Sequence, residues 1–514
     1  MKTLKFILGL LLLPFCLAHA GCPSAKKNFV EGGFRYIIFD DTTDVRISDA
    51  ADTIPLPITA DSTLVIPSSV MHEGRRYHVT GIRRYTFLCR PEVKHLVISE
   101  GVEMIEDRIF TACYNLESVQ FPSTMDYMGE YLFYDCPRLS RLSVAKGNEQ
   151  FDSRKGCNAV INKDGDYVQL GCKGTVIPHG VDSIGNMAFS GCTGMESITI
   201  PEGIKAIGYD AFHGCYQLRS VRFPNSLRSL GTGCFSACLS LDSVFIPKGI
   251  RKVKGNVFSG CSQLKSIVVD EKNRYYDSRN HCNAIVETAT NNMIAACVTS
   301  TIPHSIDSIG YGAFGETQIT SINIPSNIKR IKGGAFRGCT MLSSIEVEAG
   351  NPVYDSHDHC NAVIETATNS LIVGCGRTVV PHDVSVIGAG AFEKIPLSAV
   401  LSIPEGIERI EGMAFGGCMN IEMVILPRSL RKLACNAFFL CKNLSLVRIL
   451  SHNLVSSGFA FSDCNSLKYV ELPLDLSGID ENTFYECPYE RTWMSIRRQR
   501  GLSYHRIPLR YSDF

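Results

Sequence analysis

A phenylalanine returns along this chain at a nearly constant interval, and the apolar and polar positions between its occurrences return with it. The series is Phe87, Phe110, Phe133, Phe189, Phe212, Phe235, Phe258, Phe314, Phe336, Phe392, Phe415, Phe438, Phe461 and Phe484. Of its thirteen intervals nine are 23 residues, one is 22 and three are 56. One coil reads clearly from Phe212. Cys215, Leu218, Val221, Phe223 and Pro224 follow it, then Leu227, Leu230 and Gly231, then the next anchor, Phe235. Val221 and Phe223, two residues apart, share one face of a strand, and Arg222 faces the other way. Pro224 has no N–H to give a neighbouring coil and ends the strand. Gly231 permits a tight bend before the phenylalanine turn. Each coil is a short strand, a corner, a second extended stretch and a helical or irregular turn. No single coil buries its apolar side, so the coils must stack.

A period of about 20–29 residues with this spacing is that of leucine-rich repeats. The expected fold is a mainly β solenoid, capped at both ends, with a 23-residue period interrupted by three 56-residue units. Ile198-Thr199-Ile200-Pro201, Ile204, Ile207-Gly208, Ala211-Phe212 and Cys215 resemble the BspA-like leucine-rich repeats. The form recurs from Ile324-Pro325 to Cys339 and from Ile403-Pro404 to Cys418. The resemblance covers roughly Leu64 to Cys487. It implies a surface or secreted product of the kind found in anaerobic bacteria and some protists. Some such proteins bind host matrix proteins or mediate adhesion and coaggregation.

The three long intervals share a motif. Phe151-Asp152-Ser153, Tyr276-Asp277-Ser278 and Tyr354-Asp355-Ser356 open it, and Cys157-Asn158-Ala159, Cys282-Asn283-Ala284 and Cys360-Asn361-Ala362 follow. Two apolar stretches then flank a polar turn and end at Cys172, Cys297 or Cys375. Each unit reads as a β-hairpin set into the array; Asp164-Gly165 is a strong turn signal. If those two residues form the turn, Cys157 falls opposite Cys172, within disulfide range but in a strained register. Two readings stay open for Cys157–Cys172, Cys282–Cys297 and Cys360–Cys375: disulfides, or thiols packed in the core.

Eleven of the 22 cysteines sit three residues after an anchor: Cys113, Cys136, Cys192, Cys215, Cys238, Cys261, Cys339, Cys418, Cys441, Cys464 and Cys487. One per coil at one offset reads as a ladder of buried thiols, each a small hydrophobe.

The ends differ from the middle. Lys2 and Lys5, the apolar run Phe6–Leu17 and Ala18-His19-Ala20 read as a signal segment, residues 1–20. Cleavage after Ala20 and lipidation of Cys22 are both open. Residues 21–63 read as an N-terminal β-rich cap, 64–487 as the solenoid and 488–514 as a C-terminal cap. The cap's basic run Arg497-Arg498-Gln499-Arg500 reads as a solvated face, with a docking patch for an acidic partner as the sharper alternative. No transmembrane segment is expected, since Phe6–Leu17 falls short of the ~20 apolar residues of a spanning helix. Lys plus Arg equals Asp plus Glu, 51 each, which argues against a general nucleic-acid footprint.

Catalytic signatures are lacking. Gly231-Thr232-Gly233 and Gly388-Ala389-Gly390 have neither the third glycine nor the strand–turn–helix setting of a dinucleotide loop. His357-Asp358-His359-Cys360 suggests a metal cluster but is incomplete for zinc, and the sister segments lack a comparable set. His179, His304 and His382 each follow a proline at one structural position and read as loop surface. No enzyme activity and no cofactor are expected. The expected partner is a protein, of host matrix or cell surface, or a glycan, met by an exported chain at the cell envelope or beyond it; a structural envelope protein without a diffusible ligand stays open as an alternative. The candidate ligand-facing positions are the outward centres of the strands: Val97, Gln120, Ser143, Thr199, Arg222, Phe245, Val268, Asn323, Glu346, Ser402, Ile425, Arg448 and Glu471. The flanking core positions are monotonous and this column is diverse. Phe245, Val268 and Ile425 stand out as apolar on an exposed face. A second column, Ser118, Ser197, Ser220, Ser243, Ser266, Ser321 and Ser344, reads as a hydrogen-bonded edge ladder or, alternatively, a polar glycan-reading strip.

Overall fold

A computed structural model describes residues 28–38, 42–48 and 55–502. Residues 1–20, where a signal segment is expected, and Cys22 lie outside the described residues, as does the chain after Leu502.

The coils stack as a β-solenoid with the 23-residue repeat. The strand Ser243–Ile246 pairs in parallel and in register with Ser266–Val269, so that Ser243 meets Ser266 and Phe245 meets Val268. The same pairing joins Val400–Ser402, Met423–Leu426, Leu446–Ile449 and Tyr469–Glu471. A second column of two-residue strands runs beside it, for example Ala206–Ile207, Ser229–Leu230 and Lys252–Val253. The phenylalanine turns are tight turns rather than helices and form the third side. Their backbone ladder, such as Phe212 N–H to Cys234 O at 2.8 Å, carries on from coil to coil.

The anchors fill the interior as stacked rings. Phe189, Phe212 and Phe235 lie 4.8 and 4.9 Å apart, nearly parallel. Phe392, Phe415, Phe438, Phe461 and Phe484 form a second stack at 4.9–5.5 Å. Such pairs add ~0.5–1.5 kcal/mol beyond the apolar area they bury. Trp493, on the C-terminal helix Glu490–Gln499, closes that stack edge-on to Phe484 and is itself fully buried. Its indole N–H donates to the Glu481 carbonyl at 3.1 Å. At the other end the antiparallel strands Asn28–Glu31, Phe34–Ile38 and Asp44–Ser48 pass into the second column through Arg75–Ile82.

The long units are hairpins that act as partitions. In the first, Ala159–Asn162 pairs antiparallel with Tyr167–Gly171. Alternate side chains point to opposite faces. Val160 and Cys172 therefore face the core behind, while Cys157, Ala159, Ile161 and Val168 face the core ahead. The other two hairpins divide their neighbours in the same sense, so the interior falls into four apolar clusters. On the turn side the ladder skips each hairpin: Asp135 N–H reaches Gly191 O, Gly260 reaches Gly315 and Gly338 reaches Glu393, at 2.8–3.2 Å.

One asparagine, buried at the first two hairpins and half-buried at the third, ties each hairpin to the coil before it. Asn273 Nδ2 donates to the carbonyls of Pro247 and Ile250, and its Oδ1 accepts from the N–H groups of Tyr275 and Tyr276. Asn148 and Asn351 repeat the arrangement.

The expected opposition of the hairpin cysteines is corrected. A β-bulge shifts the register between Val160 and Ile161, so Val160 meets Leu170 and Ala159 meets Gly171. Extended by one, that register sets Asn158, not Cys157, against Cys172. The bulge recurs in the other hairpins. In all three, the paired cysteines face different cores: Cys157 and Cys172, Cys282 and Cys297, Cys360 and Cys375. All six are free thiols.

Candidate binding faces

The ladder cysteines have a role in the stack. Each thiol donates to a backbone carbonyl one rung back. Cys215 reaches Phe189 O at 3.2 Å, Cys238 reaches Phe212 O at 3.3 Å and Cys441 reaches Phe415 O at 3.2 Å. Burial raises the Cys238 and Cys464 thiols well above the usual range. Their sulfurs face the core and the backbone ladder rather than solvent.

The strand column faces outward as a set. Val97, Ile425 and Arg448 are half-buried; Gln120, Ser143, Thr199, Arg222, Phe245, Val268, Asn323, Glu346, Ser402 and Glu471 are exposed. The hairpins interrupt it, and it breaks again between Ser220–Arg222 and Ser243–Ile246, so it is several short ladders rather than one strip. Phe245 and Val268 are cross-strand partners, 53% and 45% exposed, and form one apolar patch. Ile425 belongs to another ladder, between Ser402 and Arg448. Arg448 and Glu471 satisfy each other through two bonds of 2.6 and 2.8 Å. The serine column also lies in register, and Ser118 Oγ bonds His95 Nδ1 at 2.8 Å.

His357, singled out with its neighbours as a metal candidate, lies between two carboxylates: Nδ1 is 2.8 Å from Asp355 and Nε2 is 3.0 Å from Asp383. These bonds raise its pKa, that to Asp355 first. Asp355–His357 occupies the place of Asp152–Arg154 and Asp277–Arg279, whose arginines make the same short-range pair. Cys360 turns into the core instead. His304 Nε2 is 2.9 Å from Glu348.

The turn face holds a group of side chains that sequence reading passed over. Where the first hairpin interrupts the array, Tyr131 Oη donates to Asp210 at 3.4 Å, and Arg108 lies 4.7 Å over the Tyr131 ring. Tyr134 and Tyr216 share a hydroxyl contact of 3.2 Å, and Thr193 donates to Asp135 at 3.0 Å. Burial keeps the Tyr131 and Tyr134 phenols protonated far above their usual range and lowers His213. Across the third hairpin the same seam is ionic. Lys394 binds Glu316 at 2.6 Å and Arg337 binds Glu393 at 3.5 Å. Burial pulls Glu316 up, but Lys394 and Arg337 outweigh it and hold it low; Glu393, where burial dominates, is raised. Sequence separations of 56 to 82 residues kept these partners apart in any local reading.

Beside this seam lies a cleft of about 500 Å³, between residues 127–132 and the first hairpin. Tyr127, Glu130, Tyr131, Tyr167, Gln169 and Asn186 contribute to its wall. Tyr127 is 52% exposed. The glycines at 165 and 185 leave room for the Tyr167 ring: a Cβ at Gly185 would meet its Cδ2 at 3.0 Å. Asn186 Oδ1 accepts the Tyr209 N–H at 2.9 Å, which fixes the amide's orientation.

No helix among the described residues is long and apolar enough to cross a membrane. No group of three metal-ligating side chains occurs among them.

Among solved structures, the fold is similar to a leucine rich cell surface protein from Faecalibacterium prausnitzii: 20% identity, 88% of this chain and 96% of that one covered, TM-score 0.33. It is similar to a leucine-rich repeat protein from Bacteroides ovatus, with 24% identity, 86% and 100% coverage and TM-score 0.34. The pneumococcal vaccine antigen PcpA aligns at 12% identity over 87% of this chain and 93% of its own, TM-score 0.27. No curated protein sequence matches the chain. The family described as BspA type leucine rich repeat region matches in six copies, over residues 78–155, 167–285, 280–366 and 377–492. With the 23-residue coils, the phenylalanine stack and the matched residues in agreement, this chain belongs to the BspA-type leucine-rich repeat family.

Proposed function

We propose that this protein is exported to the cell surface or beyond it and is adhesin-like, recognising a host matrix protein or a protein of another cell through the outward strand column. The observation that carries this is the contrast within one strand. Val244 and Ile246 are buried and have apolar counterparts in the other coils, whereas Phe245 between them is large, apolar, exposed and paired with exposed Val268. Exposed aromatic residues within an otherwise polar face are typical anchors of protein interfaces. Export is supported by the basic start at Lys2 and Lys5 and the apolar run that follows. The family's solenoid is typically non-enzymatic, in keeping with a binding role. The test is a binding screen of residues 21–514 against matrix and cell-surface proteins, beside the double variant Phe245→Asp/Val268→Asp. Binding that the variant loses at unchanged melting temperature supports the reading. Binding that the variant retains removes the strand column as the site.

A further inference from the structure

The three hairpin junctions pose one packing problem, and the first answers it with different residues. At corresponding positions the second junction has Lys252, Tyr276, Asn292 and Ile294, and the third has Arg330, Tyr354, Ser370 and Ile372. The first has Tyr127, Phe151, Tyr167 and Gln169. These differences have structural consequences. The hydroxyls of Tyr276 and Tyr354 accept the backbone N–H of Val253 and Ile331, each at 3.0 Å. Phe151 offers no hydroxyl to the corresponding N–H of Met128, which belongs to the cleft wall. The residue at 169, 294 or 372 is the extra one of the β-bulge, and bulges re-aim side chains. Ile294 and Ile372 pack onto the apolar cores, whereas Gln169 lines the cleft. The fold tolerates isoleucine at this position twice and does not ask for glutamine.

We propose that this cleft is a carbohydrate site that takes a neutral pyranose unit of an oligosaccharide. A pyranose has an apolar C–H face and a rim of hydroxyls that each donate and accept. The cleft offers tyrosine rings for the face, and Gln169, Asn186 and Glu130 with both donors and acceptors for the rim. Its volume falls in the ~300–1,000 Å³ range of small-ligand sites. The wall is preorganised: Arg108 and Asp210 hold Tyr131, two glycines seat Tyr167 and the Tyr209 N–H holds Asn186. Glu130 is the one charged residue among those lining it, so no cation there matches a sialic acid, a uronate or a phosphate. The site is separate from Phe245 and Val268, and it stands whether or not the strand column binds a protein.

The test uses the full mature chain on a glycan array with neutral glucans, mannans, galactans and N-acetylhexosamine chains, sialylated and uronate glycans, and a parallel peptide array. Hits are titrated by tyrosine fluorescence. The variants are Gln169→Ile and Tyr167→Asn, which install residues the second hairpin already accommodates, with Phe245→Asp/Val268→Asp as the comparison. The expected result is binding of a neutral glycan, weakened at least about tenfold by either cleft variant at unchanged melting temperature, and unchanged by the strand variant. The proposal is overturned if no neutral glycan binds, if binding survives both cleft variants, or if the cleft variants abolish only anionic-glycan or peptide binding.

Discussion

The coils from Phe392 to Phe484 and the three hairpin junctions stack by different means. In the coils one solution is copied: ring on ring, thiol to carbonyl, strand in register. At the junctions the ring stack is broken, and tyrosine hydroxyls, ion pairs and buried asparagines take over. The difference separates two kinds of constraint. Positions that repeat answer to packing with identical neighbours. Positions that change from one junction to the next are free of that demand, and both proposed binding sites are made of residues that do not repeat.

The comparison can be strained from either side. The largest effect is expected in the uniform coils. Phe438 is fully buried between Phe415 and Phe461, with ring centroids at 4.9 and 5.1 Å. Phe438→Ala is expected to cost about 3–5 kcal/mol in denaturant unfolding. At the third junction, Arg337→Met would leave Glu393 buried without its partner; a loss of about 3 kcal/mol is expected. Asn273→Ala removes four bonds at the second junction and is expected to cost about 2–4 kcal/mol. Hydrogen exchange should then show opening confined to the coils flanking that hairpin, because solenoid coils touch only their neighbours.

Thiol chemistry sharpens the same comparison without changing a core residue. Cys89 is the exposed cysteine among those described and is expected to react first with an alkylating reagent. The buried ladder and hairpin thiols should react only after denaturation, with half-buried Cys192 between the two. Mass shifts for disulfides at Cys157–Cys172, Cys282–Cys297 or Cys360–Cys375 would contradict the bulged register.

The smallest effect concerns pH. His357 stands where the sister hairpins have Arg154 and Arg279, and its pKa is raised by Asp355 and Asp383. Its folded pKa lies above the unfolded one, so its contribution is full below the unfolded value and is lost as pH rises through the folded value. A partly exposed pair of this kind is worth ~0.2–1 kcal/mol. His357→Arg should therefore match the natural chain in acid and gain a small melting-temperature advantage at alkaline pH.

Much of this was legible in the chain. Phe212, Cys215 and Val221 announced their places because the same residue types recur at the same offsets, and Arg222 was readable as outward from strand alternation alone. The bulge at Gln169, opposite Val160 and Ile161, was not, since no residue type in that strand marks where the extra residue falls. Nor were the tyrosines of the first junction. Tyr131 meets Asp210 from 79 residues away and Tyr134 meets Tyr216 from 82, and only the skipped hairpin brings them together. A usable signal was present in the alignment of the three hairpins, where Tyr167 and Gln169 depart from Asn292, Ser370, Ile294 and Ile372.

The most direct test of the division between repeating and non-repeating positions is an aspartate scan read two ways on each sample. One arm places aspartate at the exposed positions Gln120, Thr199, Phe245, Val268 and Asn323. The other places it at Cys113, Cys215, Cys238, Cys339 and Cys441. Melting temperature and binding to the partner found in the screen are measured together. The account requires that the outward arm lose binding at Phe245 and Val268 with melting temperature held, and that the cysteine arm lose melting temperature throughout. Loss of stability from the outward substitutions, or stable cysteine-arm variants, would contradict it.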